Sequence, residues 1–223
     1  VDFFWRIFKT DVLIHMLQND SFKTRRYSMP PKAKFTRDEV IQAGLNIVRE
    51  HGMGALSARA LGAKLGSSAR PVFTVFQSME EVQEEVKKAA RSVYAGYVRK
   101  GLAQELAFKG AGTQYIQFAV HEPKLFQLLF MTEHRHRPAA VNVMPVIDDN
   151  YQDILQSAQN GYQLSRDEAE QLYRHLWIYT HGIAVLCATN MCVFTAEETG
   201  RLVTQAFRGI LKEIKTEIKT DRA

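Results

Sequence analysis

The chain has 223 residues, of which 46% are apolar and 24% charged, and carries a net charge of +5. That length can bury a substantial core, and no stretch approaches the ~18 uncharged apolar residues of a membrane-spanning helix. The charge is uneven: residues 1–76 hold twelve Lys/Arg against six Asp/Glu, residues 77–223 seventeen against eighteen.

Such a distribution suggests a basic N-terminal module for a polyanion joined to a neutral body, or else solvated charge with no single partner. The two cysteines, Cys187 and Cys192, form no disulfide framework and point to a reducing, cytoplasmic setting. In residues 1–28, VDFFWRIFKTDVLIHMLQNDSFKTRRYS, Arg6, Lys9 and Asp11 interrupt every apolar run, which excludes a secretory signal. They read either as an extra helix or as an extension upstream of Met29. Residues 29–77 and 78–223 then divide into a small helical module and a larger helical body.

From Thr36 onward the expected fold class is all-α. Four capping-box signatures, Thr36/Glu39, Ser78/Glu81, Ser165/Glu168 and Thr195/Glu198, mark helix starts. Each is followed by apolar residues at helical spacing, for example Val82, Val86, Val93 and Tyr97. Shorter helices are predicted over Tyr115–Val120 and Lys124–Met131, the second with Pro123 in its first turn. Residues 134–145 read as a loop before another helix over Val146–Gln159.

Within the module the first helix should stop at His51-Gly52 and the second should run from Ser57 to Gly66. The stretch LGSSARPVFTVF, residues 65–76, then reads as a tight turn at Gly66 and a third helix capped by Ser68, with Pro71 in its first turn. Leu61, Leu65, Val72 and Phe76 are spaced to pack the two short helices together. This is a helix-turn-helix, whose second member enters the DNA major groove.

Residues 35–82 resemble the DNA-binding domain of the tetracycline-repressor (TetR) family of bacterial regulators. The resemblance rests on His51-Gly52, Ser57, Arg59, Leu61, Leu65-Gly66, Ser68, Phe73, Phe76 and the Ser78–Glu81 opening, with no gap. Phe73 stands where tyrosine is usual. Thr74 and Val75 replace basic or polar residues, which favours apolar contact with thymine methyls there. Downstream, residues 115–130 and 176–186 are similar to a TetR subgroup with a Trp and a His-Gly pair.

The resemblance implies a repressor released from its operator by a small, largely apolar ligand; a constitutive or protein-partner-regulated DNA binder is the alternative. It places Ser67, Ser68, Arg70, Phe73 and Thr74 in the groove and assigns phosphate contacts to Lys32, Lys34, Arg37, Arg59 and Lys64. It also implies a homodimer through residues 166–190 and 196–218. For that interface Gly182, Ala184 and Ala188 would allow close helix approach, and Val203, Phe207, Ile210 and Ile214 would form an apolar stripe. The candidate ligand site is Tyr115, Phe118, Phe130, Trp177 and His181, although each aromatic is individually also a good core residue.

Enzyme motifs fail on inspection. His121-Glu122 lacks a second histidine at position 125, which is Leu, and Gly110-x-Gly112 lacks the third glycine at position 115, which is Tyr. Glu133, His134 and His136, or Cys187 and Cys192 with His181, could in principle ligate a metal. Two arginines flank the first set and the second is spread over different helix faces, so neither cofactor nor metal is expected.

Overall fold

The computed structural model describes residues 33–133, 139 and 142–221, with side chains as far as residue 216. Residues 1–28, Lys32, His134 and His136 lie outside the described residues. Nine α-helices and no strand occur among those described.

Helix α1, Arg37–His51, opens with a complete capping box: Glu39 N donates to Thr36 Oγ1 at 3.2 Å and Thr36 N to the Glu39 carboxylate at 2.8 Å. Gly52 ends it at φ 82°, ψ 170°, not in the left-handed helical region expected but in one that only glycine reaches comfortably. Ser57 caps α2, Ala58–Lys64, and Gly66 at φ 63° makes the turn that follows.

The next segment differs from expectation. Arg70–Thr74 is a 3₁₀ turn rather than an α-helix, and Ala69, not Ser68, stands at its cap. The cause is local. Ser67 N is already bonded back to Gly62 O, Pro71 has no amide hydrogen, and Val72 and Val75 close i→i+3 bonds to Ala69 and Val72.

Helix α3, Met79–Leu102, is about 36 Å long at the usual rise. Its buried residues Val82, Val86, Ala90, Tyr94 and Val98 repeat every fourth position. Their upper part packs on α1, where Gly44 lies so close to Val86 that an added Cβ would stand 2.7 Å from its methyl. Ser78 caps this helix, but Glu81 bonds Gln77 N and Arg37 instead of closing the box.

The remaining helices are α4 (Ala107–His121), α5 (Pro123–Phe130), α6 (Met144–Ile147), α7 (Tyr151–Tyr162), α8 (Arg166–Ala188) and α9 (Ala196–Asp221). Helix α4 is central, packing on α3, α5, α7 and α8. The single helix expected over Val146–Gln159 is broken at Asp148, which adopts an extended conformation.

The stripe read as a dimer seam packs inside the chain's own body. Val203 joins Ile116 and Ile183, and Ile214, Phe207 and Ile210 join the main core, which runs from Val40 of α1 onward. Ala184 and Ala188 are buried as well, whereas Gly182 is open. Residues Lys34–Ala223 form one compact unit, so no loose linker separates the helix-turn-helix from the body. No helix among the described residues is long and apolar enough to cross a membrane.

Candidate functional site

Two features stand out, a polar face on the helix-turn-helix and a cavity in the body. On the first, Leu61 and Val72 are fully buried and Phe76 nearly so, fixing α2 against the 3₁₀ turn. Gly62 is required at their crossing, since a Cβ there would lie 2.7 Å from the Ser68 carbonyl carbon and 2.8 Å from Ala69 N. Ser68, Arg70, Phe73 and Thr74 are left exposed, with Ser67 half-buried beside them. Phe73 keeps 46% of its surface in solvent, unusual for a large apolar side chain on so short a segment.

The expected phosphate-contacting residues divide by their partners. Lys34 reaches over to Ser67, Nζ to Oγ 2.9 Å, bringing the two onto one face. Arg59 and Arg70 are exposed and have no ion-pair partner among the described residues. Lys64 pairs with Glu50 at 2.9 Å. Arg37 is a clamp: its Nη1 donates to Val75 O and to Glu81 Oε1, both at 2.7 Å, and its guanidinium lies 4.1 Å from the Phe76 ring centre. The Gln77 amide, then Arg37, hold the Glu81 carboxyl below its usual range. One arginine thereby ties α1, the 3₁₀ turn and the first turn of α3 together.

The cavity, of about 250 Å³, lies among α3, α4, α7, α8 and α9. Tyr115 and Trp177 line it as expected; Phe118, Phe130 and His181 do not. Phe118 is fully buried core, meeting Tyr94, Tyr97, Phe126 and Phe130 in tilted and edge-to-face contacts. His181 stands behind the wall. Its Nδ1 lies 2.8 Å from the Tyr115 hydroxyl, and its ring stacks on Trp177 at 4.8 Å between centres. Burial pushes the His181 pKa down, and burial followed by the Asp148 charge pushes the Tyr115 pKa well up. At neutral pH the tyrosine therefore keeps its proton and shares a hydrogen bond with an uncharged imidazole, whose tautomer sets which of the two donates. Trp177 approaches the same hydroxyl, which eases that shift, yet its buried Nε1–H meets no acceptor in hydrogen-bond geometry.

At the cavity floor is a residue the sequence did not single out. Asp148 is 4% exposed. Its Oδ2 accepts from Tyr94 at 2.7 Å and Tyr173 at 3.4 Å, and its Oδ1 from the Asn150 amide at 2.9 Å and side chain at 3.0 Å. Phe108, Ile154, Leu176, Val203 and Phe207 complete an otherwise apolar wall.

The family model for the tetracyclin repressor-like C-terminal domain matches residues 108–212. Residues 108–212 are a tetracyclin repressor-like C-terminal domain. Among solved structures, the flavonoid-responsive regulator FrrA is 15% identical, with a TM-score of 0.46, and the match covers 79% of this chain and 95% of that one. A candidate TetR-family transcriptional regulator from Mesorhizobium loti is 16% identical, with a TM-score of 0.48 and the same coverages. No curated protein sequence matches the chain.

The matched span holds most of the cavity wall, from Phe108 to Arg208, while Tyr94 enters from α3 outside it. Tyr94 and Tyr173 are among the aromatics that the sequence offers as either core or cavity wall, but Asp148 escaped sequence reasoning because its partners lie far from it in the chain. The one available signal was the pair Asp148-Asp149 following an apolar run, which ordinarily marks a solvated loop.

Proposed function

We propose that this protein is a TetR-family, sequence-specific DNA-binding transcriptional regulator, a repressor released from its operator by a small, largely apolar ligand that occupies the cavity. The observation that carries this reading is the span of α3. Its first turn is clamped by Arg37 to the segment presenting Ser68, Arg70, Phe73 and Thr74, and three turns further on its Tyr94 forms part of the cavity wall. A ligand that displaces Tyr94 acts on the same rigid helix that seats the DNA-facing turn.

In this proposal the division of roles falls near residue 77. Arg70, Phe73 and Thr74 read base edges, Lys34 and Arg59 fix register on phosphates, and Arg37 and Lys64 position the elements that carry them. A homodimer formed through α8 and α9 sets two such faces about one turn of DNA, ~34 Å, apart. The exposed Ile178 and Tyr179, with the open Gly182 on the same stretch of α8, supply an outward apolar face for that contact, in place of the stripes that pack internally.

The test is a DNA-binding titration with sedimentation, using the intergenic DNA upstream of the protein's own gene and random DNA at two salt concentrations. Saturable dimer binding, with a preference for the first DNA that survives higher salt, is the expected result. Equal binding to both DNAs, abolished by salt, would reject sequence-specific regulation. Specific binding that no cavity ligand weakens would leave a constitutive or partner-regulated binder.

A further inference from the structure

The cavity carries information about its ligand that goes beyond an apolar character. Of its lining residues only Leu106, Lys109 and Arg208 are exposed, so these three mark the mouth. Lys109 on α4 and Arg208 on α9 flank it from two helices, and neither side chain has a hydrogen-bond or ion-pair partner among the described residues. The floor is the reverse. Asp148 is a carboxylate whose two oxygens already accept four hydrogen bonds, filling the lone pairs such a group can offer.

A cation entering the cavity would find no vacant acceptor at the floor and two positive charges at the entrance. An anion has the opposite experience: two unpaired cations hold it at the mouth, and Asp148 repels it from the interior. Between the two ends the wall is apolar apart from the hydroxyls of Tyr94, Tyr115, Tyr162, Tyr173, Thr180 and Thr204 and the unpartnered Trp177 Nε1–H.

We propose that the effector is an amphipathic anion, an organic acid that enters apolar end first and leaves its carboxylate or similar head between Lys109 and Arg208. This rests on the reading of the cavity as the effector site. The bound orientation is fixed by charge rather than shape: head at the mouth, body against Trp177 and Phe207.

The experiment compares three probes with one hydrocarbon chain, decanoate, decanol and decylamine, at neutral pH. Binding is read from the fluorescence of Trp177 in full-length protein carrying Trp5→Phe, which leaves Trp177 as the only indole of the two in the chain. Decanoate should bind about tenfold more tightly than decanol, the sum of two solvent-screened charge contacts, and decylamine more weakly than either. The advantage of the acid should shrink with added salt and vanish in Lys109→Gln/Arg208→Gln, both exposed positions where the change leaves folding intact. Equal affinity for acid and alcohol, or an acid preference that survives the double substitution, overturns the charge assignment while the cavity remains a binding site. Failure of all three probes to perturb Trp177 overturns both the assignment and the cavity reading beneath it.

Discussion

Burying a carboxylate without a cation costs stability unless hydrogen bonds replace its hydration, and at Asp148 two tyrosines and Asn150 do so. The same bonds organise the body, since they join α3, α8 and the break between α6 and α7 at one point. Asp148→Ala leaves the Tyr94 hydroxyl buried with no acceptor and frees the break. A loss of about 3 kcal/mol is expected, read as a lower urea midpoint with an unchanged slope. His181 makes a second residue-scale prediction. Its pKa is depressed by burial, so the folded protein keeps it neutral while the unfolded chain takes up a proton near pH 6.5. Its contribution to stability is therefore complete above that pH and is lost as pH falls through the lower folded-state value. Protonation also makes Nδ1 a donor toward the Tyr115 hydroxyl and places a charged ring on Trp177. The Trp177 emission should drop in that acidic range, and His181→Phe should remove the titration; a pH-independent emission in the unmodified protein would contradict the arrangement.

At the scale of elements, what was legible followed from short-range rules. The boxes at Thr36, Ser165 and Thr195 form as read, because a hydroxyl and a carboxylate three residues apart need no tertiary help. Ser78 keeps its cap, but Glu81 is diverted by Arg37, forty-four positions away, a contact no local rule contains. The break at Asp148 was missed for the same reason, since that residue is held by tyrosines on α3 and α8. The 3₁₀ turn of the helix-turn-helix lies between these extremes. Gly66, the serines and Pro71 announced a turn and a new element, yet the five-residue segment closes i→i+3 bonds from Val72 and Val75, and Phe76 N alone reaches back four residues, to Val72 O at 3.1 Å. So short an element has little rigidity of its own and depends on the crossing at Gly62. Gly62→Ala must push the Ser68–Ala69 backbone away from α2. The expected outcome is a loss of operator affinity of at least tenfold with helix content and decanoate binding retained. Unchanged operator affinity would mean the turn can shift without consequence for DNA.

At the scale of the whole molecule, the helix-turn-helix end and the cavity are connected by two routes. One is α3 itself. The other runs through α1, where Arg49 Nε donates to Glu122 Oε2 at 2.7 Å, and Glu122 is the hinge between α4 and α5. From α5 the route continues to the end of α8, as Gln127 Nε2 donates to Ala188 O at 2.6 Å. Glu122 is only 14% exposed but Arg49 is 37% exposed, so the pair is partly screened and contributes roughly 0.5–1 kcal/mol. If ligand binding moves α4 relative to α1, this pair is made in one state and strained in the other, and its energy belongs to the coupling between the two sites. A coupling of about 1–3 kcal/mol is usual for such switches, so Glu122→Gln should remove a sizeable share of it. Linkage fixes the form of the test: the factor by which ligand weakens operator binding must equal the factor by which operator weakens ligand binding. In Glu122→Gln both factors should fall together by about two- to fivefold, with operator affinity in the absence of ligand nearly unchanged. A drop in operator affinity at unchanged coupling would assign the pair to seating α1 alone and leave α3 as the sole path between cavity and DNA.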